Sequence, residues 1–201
     1  MNLYHAPGAC SVAPHIVLCE LGLPHRLSRV DLQHGRTADG RDFKTVNPKG
    51  YVPALELEDG SVLTEVSALL QYLADRAPGA HLLPAVGTPE RYRVLEWIGF
   101  IATEIHKGFG PLWAPDTSED AKSAARARLG QRFDYVVAAL GEREYLAGPF
   151  TIADPYLYTV LNWTQWTGID RSRWPTLQRY VERVAARPAV RAALQAEGLT
   201  Q

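Results

Sequence analysis

At 201 residues the chain has room for one large domain or two small ones with a sizeable buried core. It is 46% hydrophobic and 21% charged, as globular proteins are, and its net charge of −1 gives no electrostatic reason to expect nucleic acid or a membrane surface as a partner. Two cysteines are too few for a secreted disulfide scaffold, Met1 to Pro7 lacks a signal-peptide pattern, and no run approaches the roughly 20 apolar residues that span a bilayer, so a cytoplasmic, reducing setting is expected.

Asn2-Leu3-Tyr4 is a short strand candidate that ends at Pro7-Gly8. Ser11 is placed to cap a helix from Val12 to about Leu21, with Gly22 as its stop. Leu27 to Leu32 is the next strand, and the polar run from His34 to Arg41 is a candidate binding loop. Asn47-Pro48-Lys49-Gly50 is a turn by composition. Val52 to Glu58 and Ser61-Val62-Leu63 form two strands about the hairpin turn Asp59-Gly60. Thr64-Glu65-Val66-Ser67 then opens a helix to about Ala77. After Pro84 only helical patterns follow: 89–106, broken by Pro111 and Pro115, then 118–140, 151–166, 175–186 and 188–197. A mixed βαβ-ββα segment followed by helices alone predicts an α/β domain over 1–78, a linker over 79–87 and an all-α domain over 88–201.

Three features carry chemistry. Cys10 sits where a strand exits and a helix begins, where the helix dipole and N-terminal N–H groups favour a thiolate; a buried structural cysteine is the alternative. Cys19 lies nine residues further along, without C-x-x-C spacing, and reads as structural. Val52-Pro53 is either a cis pair that presents the Val52 backbone to a peptide-like ligand or an ordinary trans pair at a strand start. The Glu65-Val66 helix start would hold a carboxylate on its N–H groups and an ammonium on Glu65, or is plain capping. A ligand with a thiol, a peptide backbone and an α-amino acid end satisfies all three together; glutathione has that chemistry.

The ordered motifs Leu3-Tyr4, Pro7-Gly8-Ala9-Cys10-Ser11, Pro14-His15-Ile16-Val17-Leu18, Asn47-Pro48-Lys49-Gly50-Tyr51-Val52-Pro53, Leu63-Thr64-Glu65, Glu104-Ile105-His106-Lys107 and Gly148-Pro149-Phe150-Thr151-Ile152-Ala153-Asp154 resemble the beta class of bacterial glutathione S-transferases over essentially the whole chain. The resemblance implies a thioredoxin-like first domain, a helical second domain, a homodimer, and glutathione as co-substrate with no metal. It implies detoxifying transfer of glutathione to a small hydrophobic electrophile, or thiol exchange at Cys10. It implies that His106 faces Cys10 across the domain cleft as a tuning or acid–base group, and that Thr103 and Glu104 lie near the glutathione site, either of the same subunit or of the partner subunit. Val52 would pair with the cysteinyl backbone, and Glu65 and Val66 with the γ-glutamyl end. Thr151 and Asp154 resemble the family's capping box.

Some positions depart from the family pattern: Gly35, beside Arg36, replaces a common lysine, Gly99 replaces a common asparagine, Val66 stands where a small residue is usual, and Pro155 follows the capping box. Trp113, Trp163 and Trp166 either line an electrophile pocket or pack the core. Two competing readings are a non-catalytic binding protein on the same fold and a glutathione-independent peroxidase or disulfide reductase that would need Cys19 to resolve an oxidised Cys10.

Overall fold

The structure, a computed structural model, describes residues 1–199, so the last two residues of the helical domain expected over 88–201 lie outside it. By contacts the chain divides into two units: residues 1–83 together with the segment from Ala186 onward, and Pro84–Ala185.

In the first unit β1 (Asn2–His5) leads through a turn into α1 (Val12–Glu20), followed by β2 (Arg26–Asp31), β3 (Arg36–Thr37), β4 (Ala54–Glu56), β5 (Val62–Thr64) and α2 (Val66–Arg76). The sheet order is β3-β2-β1-β4-β5. β1 is parallel to β2 and antiparallel to β4, and the β4–β5 hairpin pairs Ala54 with Thr64. The parallel step requires a crossover, which α1 supplies. This is the βαβ-ββα thioredoxin-like plan, with the short edge strand β3 added inside the segment expected as a loop. β1 is buried along its whole length, as the central strand should be, and Leu3 stands opposite both Leu27 and Leu55.

The second unit is helical: α3 (Pro89–Phe100), α4 (Gly110–Trp113), α5 (Glu119–Leu140), α6 (Ala153–Asn162), α7 (Thr164–Thr167) and α8 (Pro175–Ala185). Thr88 caps α3 by accepting from the Arg91 N–H, and Ser118 caps α5 through the Ala121 N–H. From Ala153 to Leu161, α6 is buried on every face and forms the core helix of this unit.

Three expectations change here. The helix expected over 89–106 does not simply stop before Pro111. After α3 the chain runs through a π-helical turn, Ile101–His106, and a 3₁₀ turn, Lys107–Phe109, into α4, whose first turn takes Pro111 at a position needing no N–H. The helix expected over 151–166 is two helices, α6 and α7. The last change concerns α9 (Pro188–Ala196), which packs on α1 and belongs with the sheet rather than with the other helices.

The capping box is half realised. Asp154 reaches back to accept from the Thr151 N–H (2.8 Å), but the Thr151 hydroxyl donates to Asp154 instead of capping a backbone N–H, and Ile152 occupies the cap position. The other Asp154 oxygen accepts from the Leu146 N–H (3.0 Å) and the Tyr180 hydroxyl (2.8 Å). Asp154 is fully buried, and that burial outweighs the four donors and pushes its carboxyl up to about 6.

Candidate functional site

Cys10 is delivered by a turn in which Gly8 adopts φ 75°, a conformation costly for any residue with a Cβ. The Ala9 N–H returns to the Ala6 carbonyl (3.0 Å), and Ser11 braces the turn: its hydroxyl donates to the Ala6 carbonyl and accepts from the Ala6 N–H, both at 3.2 Å. Ser11 is therefore at the cap position of α1 without capping it through its side chain; its oxygen is committed to shaping the thiol turn. The Val12 and Ala13 N–H groups bond back to Ala9 and Cys10, so Cys10 lies on the first turn of the helical path, at the positive end of the α1 dipole.

The Val52-Pro53 peptide is cis, and the half-buried Cys10 thiol donates to the Val52 carbonyl at 3.4 Å. Strand register explains why these residues meet. β4 runs antiparallel to both β1 and β5, with Tyr4 opposite Ala54 and Ala54 opposite Thr64. The chain leaving β1 toward Cys10, the chain entering β4 at Val52 and the chain leaving β5 at Glu65 thus collect at one end of the sheet.

Glu65 occupies φ 72°, ψ 123° at the start of α2, a strained position for a residue with a side chain. Its carbonyl accepts the first intrahelical bonds, from Ala68 and Leu69, so the N–H groups of Val66 and Ser67 belong to the open first turn. The Val66 side chain is buried, which leaves its backbone as the part that can face a ligand. The Glu65 carboxylate, expected to take a ligand ammonium, accepts from the Lys49 ammonium (2.5 Å) and the Tyr51 hydroxyl (2.9 Å). Lys49 also donates to the Thr64 hydroxyl. The Glu65 hydrogen bond holds the Lys49 ammonium above its ordinary range and pushes the Tyr51 phenol up, and charge at Cys10 adds to the Tyr51 shift. Lys49 and Tyr51 had no assigned role in the sequence reading, although both lie inside the Asn47–Pro53 motif; Gly50 between them, at φ 75°, was the available signal.

Cys19 behaves differently from Cys10. Burial, then the charges of Glu20 and Glu197, push its thiol up, which disfavours the nucleophilic thiolate. Neither cysteine forms a disulfide.

Thr103, Glu104 and His106 all lie in the second unit, on the π-helical turn. The Thr103 hydroxyl donates to the Gly99 carbonyl (3.0 Å), and Glu104 accepts from Arg132 at 2.7 Å. Thr103 and Glu104, but not His106, line a cavity of about 230 Å³ with Lys107, Arg128, Leu129 and Arg132. The His106 Nδ1 bonds the Tyr156 hydroxyl (2.8 Å), and its ring meets Trp163 edge-on at 4.9 Å. Trp163 is buried against Phe109 and Trp113, whereas Trp113 and Trp166 are exposed. Of the departures, Gly35 has φ 64°, which a lysine would occupy only with strain, and Gly99 has open space where a Cβ would stand.

Residues 8–76 match the description "Glutathione S-transferase, N-terminal domain", and residues 100–188 match "Glutathione S-transferase, C-terminal domain". The chain is 47% identical over 200 residues to glutathione S-transferase GstA of Escherichia coli O157:H7, covering 99% of this chain and 100% of that protein. Among solved structures, the bacterial beta-class enzyme of Sphingomonas chungbukensis superposes with a TM-score of 0.96 at 45% identity. A sphingomonad glutathione S-transferase complexed with glutathione gives 0.95 at 46% identity; in both pairs each chain is covered completely. No helix among the described residues is long and apolar enough to cross a membrane.

Proposed function

Because this chain belongs to the glutathione S-transferase family, we propose that it binds glutathione along the sheet end formed by Cys10, Val52 and Glu65 and uses the Cys10 thiol at the reacting sulfur. The reaction class is that of a glutathione transferase. The observation that carries the reading is the 3.4 Å contact between the Cys10 thiol and the Val52 carbonyl. A cysteinyl N–H that bonds this carbonyl has its own sulfur one side chain away from Cys10. The α-amino acid end then falls toward Glu65, where the carboxylate takes the ammonium in competition with Lys49 and the open α2 turn at Val66 takes the carboxyl.

Two outcomes follow from that placement. In conjugation, the glutathione thiolate attacks a small hydrophobic electrophile and the leaving group departs with the displaced electron pair. In exchange, the Cys10 thiolate attacks a glutathione mixed disulfide, forming Cys10–S–S–glutathione and releasing the other thiolate; a second glutathione thiolate then regenerates Cys10 and leaves as oxidised glutathione. A cysteine at this position favours the exchange route, since it is itself a nucleophile.

His106 is the proposed acid–base group, its ring oriented by Tyr156 and Trp163. Thr103 and Glu104 are proposed to contribute to glutathione binding, and the second unit to receive the electrophile. The proposed division of labour gives glutathione binding to the first unit, with α9 packed on it, and the electrophile to the second unit, Pro84–Ala185, and the proposed state is a cytoplasmic homodimer.

Calorimetric titration with reduced glutathione, paired with turnover of an aryl halide and of a glutathione mixed disulfide, tests this reading. Wild type should bind and turn over at least one substrate, and Glu65→Ala should weaken binding by about tenfold. Binding without turnover of either substrate would support the non-catalytic alternative; absence of binding would remove the proposal.

A further inference from the structure

His15, from the motif Pro14-His15-Ile16-Val17-Leu18, and the second cysteine have no part in that chemistry, yet they lie in a polar cluster further along α1 than Cys10. Cys19 follows His15 by one helical turn, so both project from the same face of α1. The loop after α1 brings His25 beside them: its ring packs edge-on against His15 at 5.4 Å. One imidazole nitrogen from each histidine and the Cys19 sulfur all lie within 4.8 Å of one another.

Hydrogen bonds orient both rings. The His25 Nδ1 lies 2.8 Å from the Leu23 carbonyl, which can only accept, so Nδ1 carries the proton and Nε2 presents its lone pair. The His15 Nδ1 lies 2.8 Å from the Glu197 carboxylate, which lies just past the end of α9, and the same tautomer follows. His5 approaches the other Glu197 oxygen at 3.5 Å. A carboxylate on one histidine and a backbone carbonyl on another are the partners that fix metal-binding imidazoles. His15 is buried, while Cys19 and His25 are half-exposed and leave a path from solvent.

We propose that His15 and His25, each through one imidazole nitrogen, and Cys19 Sγ form a binding site for a divalent transition-metal ion, Zn(II) by its ligand chemistry, separate from the thiol site at Cys10. Two nitrogens and one sulfur suit zinc, with water as the fourth ligand. Ligand atoms on a tetrahedral zinc lie about 3.3–3.7 Å apart, given metal bonds of about 2.0–2.3 Å. Rotation of the half-exposed Cys19 side chain, with a shift of the loop that carries Leu23 and His25 together, would supply the contraction from the present spacing. The bound ion would join α1 to the following loop and, through His15 and Glu197, to the C-terminal segment. Binding exchanges the thiol proton for the metal, with no oxidation.

The test is titration of the full chain with Co(II), followed by competition with Zn(II). Wild type should bind one Co(II) with a thiolate-to-cobalt charge-transfer absorption that Zn(II) displaces. Cys10→Ser should keep the absorption, because that sulfur is not a ligand. Cys19→Ser should abolish it, and His25→Ala, at a half-exposed loop position, should weaken Zn(II) binding by at least about 100-fold, since a lost ligand costs more than the roughly 10–100-fold of a lost supporting group. Zn(II) should raise the Tm of wild type and not that of His25→Ala. No charge-transfer absorption in wild type, its retention in Cys19→Ser, or its loss in Cys10→Ser would each overturn the site.

Discussion

Cys10 and Asp154 are both polar residues at the start of a helix, each held by a turn that the sequence motifs mark. Their surroundings differ. Asp154 is fully buried, with both oxygens saturated by four donors from Leu146, Thr151 and Tyr180. The Cys10 corner is half-exposed. Its neighbours include a thiol on a backbone carbonyl, an exposed glutamate held by an exposed lysine and tyrosine, and a glutamate backbone in a conformation suited to glycine. A saturated, buried cluster stabilises one conformation and leaves nothing for a ligand to bind. Interactions that a ligand can replace, together with local strain, mark a place where binding is expected. On this contrast the motif residues Thr151 to Asp154 are architectural, and those around Cys10, Val52 and Glu65 form the proposed glutathione site.

The sharpest way to separate the two corners is to delete each in turn. Cys10→Ala should lower glutathione-exchange turnover by at least about a thousandfold in steady-state assays while leaving stability within about 1 kcal/mol. Asp154→Ala should do the opposite. It strands the Leu146 and Thr151 N–H groups and the Tyr180 hydroxyl in the core, and chemical denaturation should show a loss of about 3–5 kcal/mol. Glutathione affinity of the folded fraction should be unchanged.

Glu65→Gly sharpens the strain argument. Glycine accepts φ 72° without penalty, so stability should rise by up to about 1 kcal/mol, although the carboxylate is lost. Glutathione affinity should fall by about tenfold in the same protein. A parallel loss of stability and affinity would mean that Glu65 is structural.

The last test concerns pH. The Asp154 carboxyl is raised to about 6 in the folded protein by burial, above its unfolded value near 4. The folded state therefore holds this proton more tightly. The stability it contributes is fully present below about pH 4 and is lost as pH rises through about 6. Denaturation midpoints from pH 4 to 7 should carry this slope in wild type, and the slope should be absent in Asp154→Asn.

Much of this contrast was legible in the sequence because local signals agreed. The Asp59-Gly60 hairpin and the Pro7-Gly8 stop defined strands whose register brings Cys10, Val52 and Glu65 to one end of the sheet. What the residues alone did not reveal depends on long-range packing. β3 has only two residues and no periodicity to read. The π-helical turn that carries Thr103, Glu104 and His106 breaks a pattern that looks regular as a one-dimensional repeat. The helical spacing of 188–197 says that a helix forms but not which unit receives it; Glu197, meeting His15 across 182 residues, is visible only once α9 is packed on α1. Lys49 and Tyr51 look like turn residues until Glu65 is seen between them.

The central claim is that Cys10, rather than Cys19, is the reactive thiol of a glutathione site. Intact-mass measurement with peptide mapping after incubation with oxidised glutathione tests it most directly. The account predicts a single glutathione adduct on Cys10 that is absent from Cys10→Ala. No adduct, or an adduct on Cys19 with Cys10 unmodified, would contradict it.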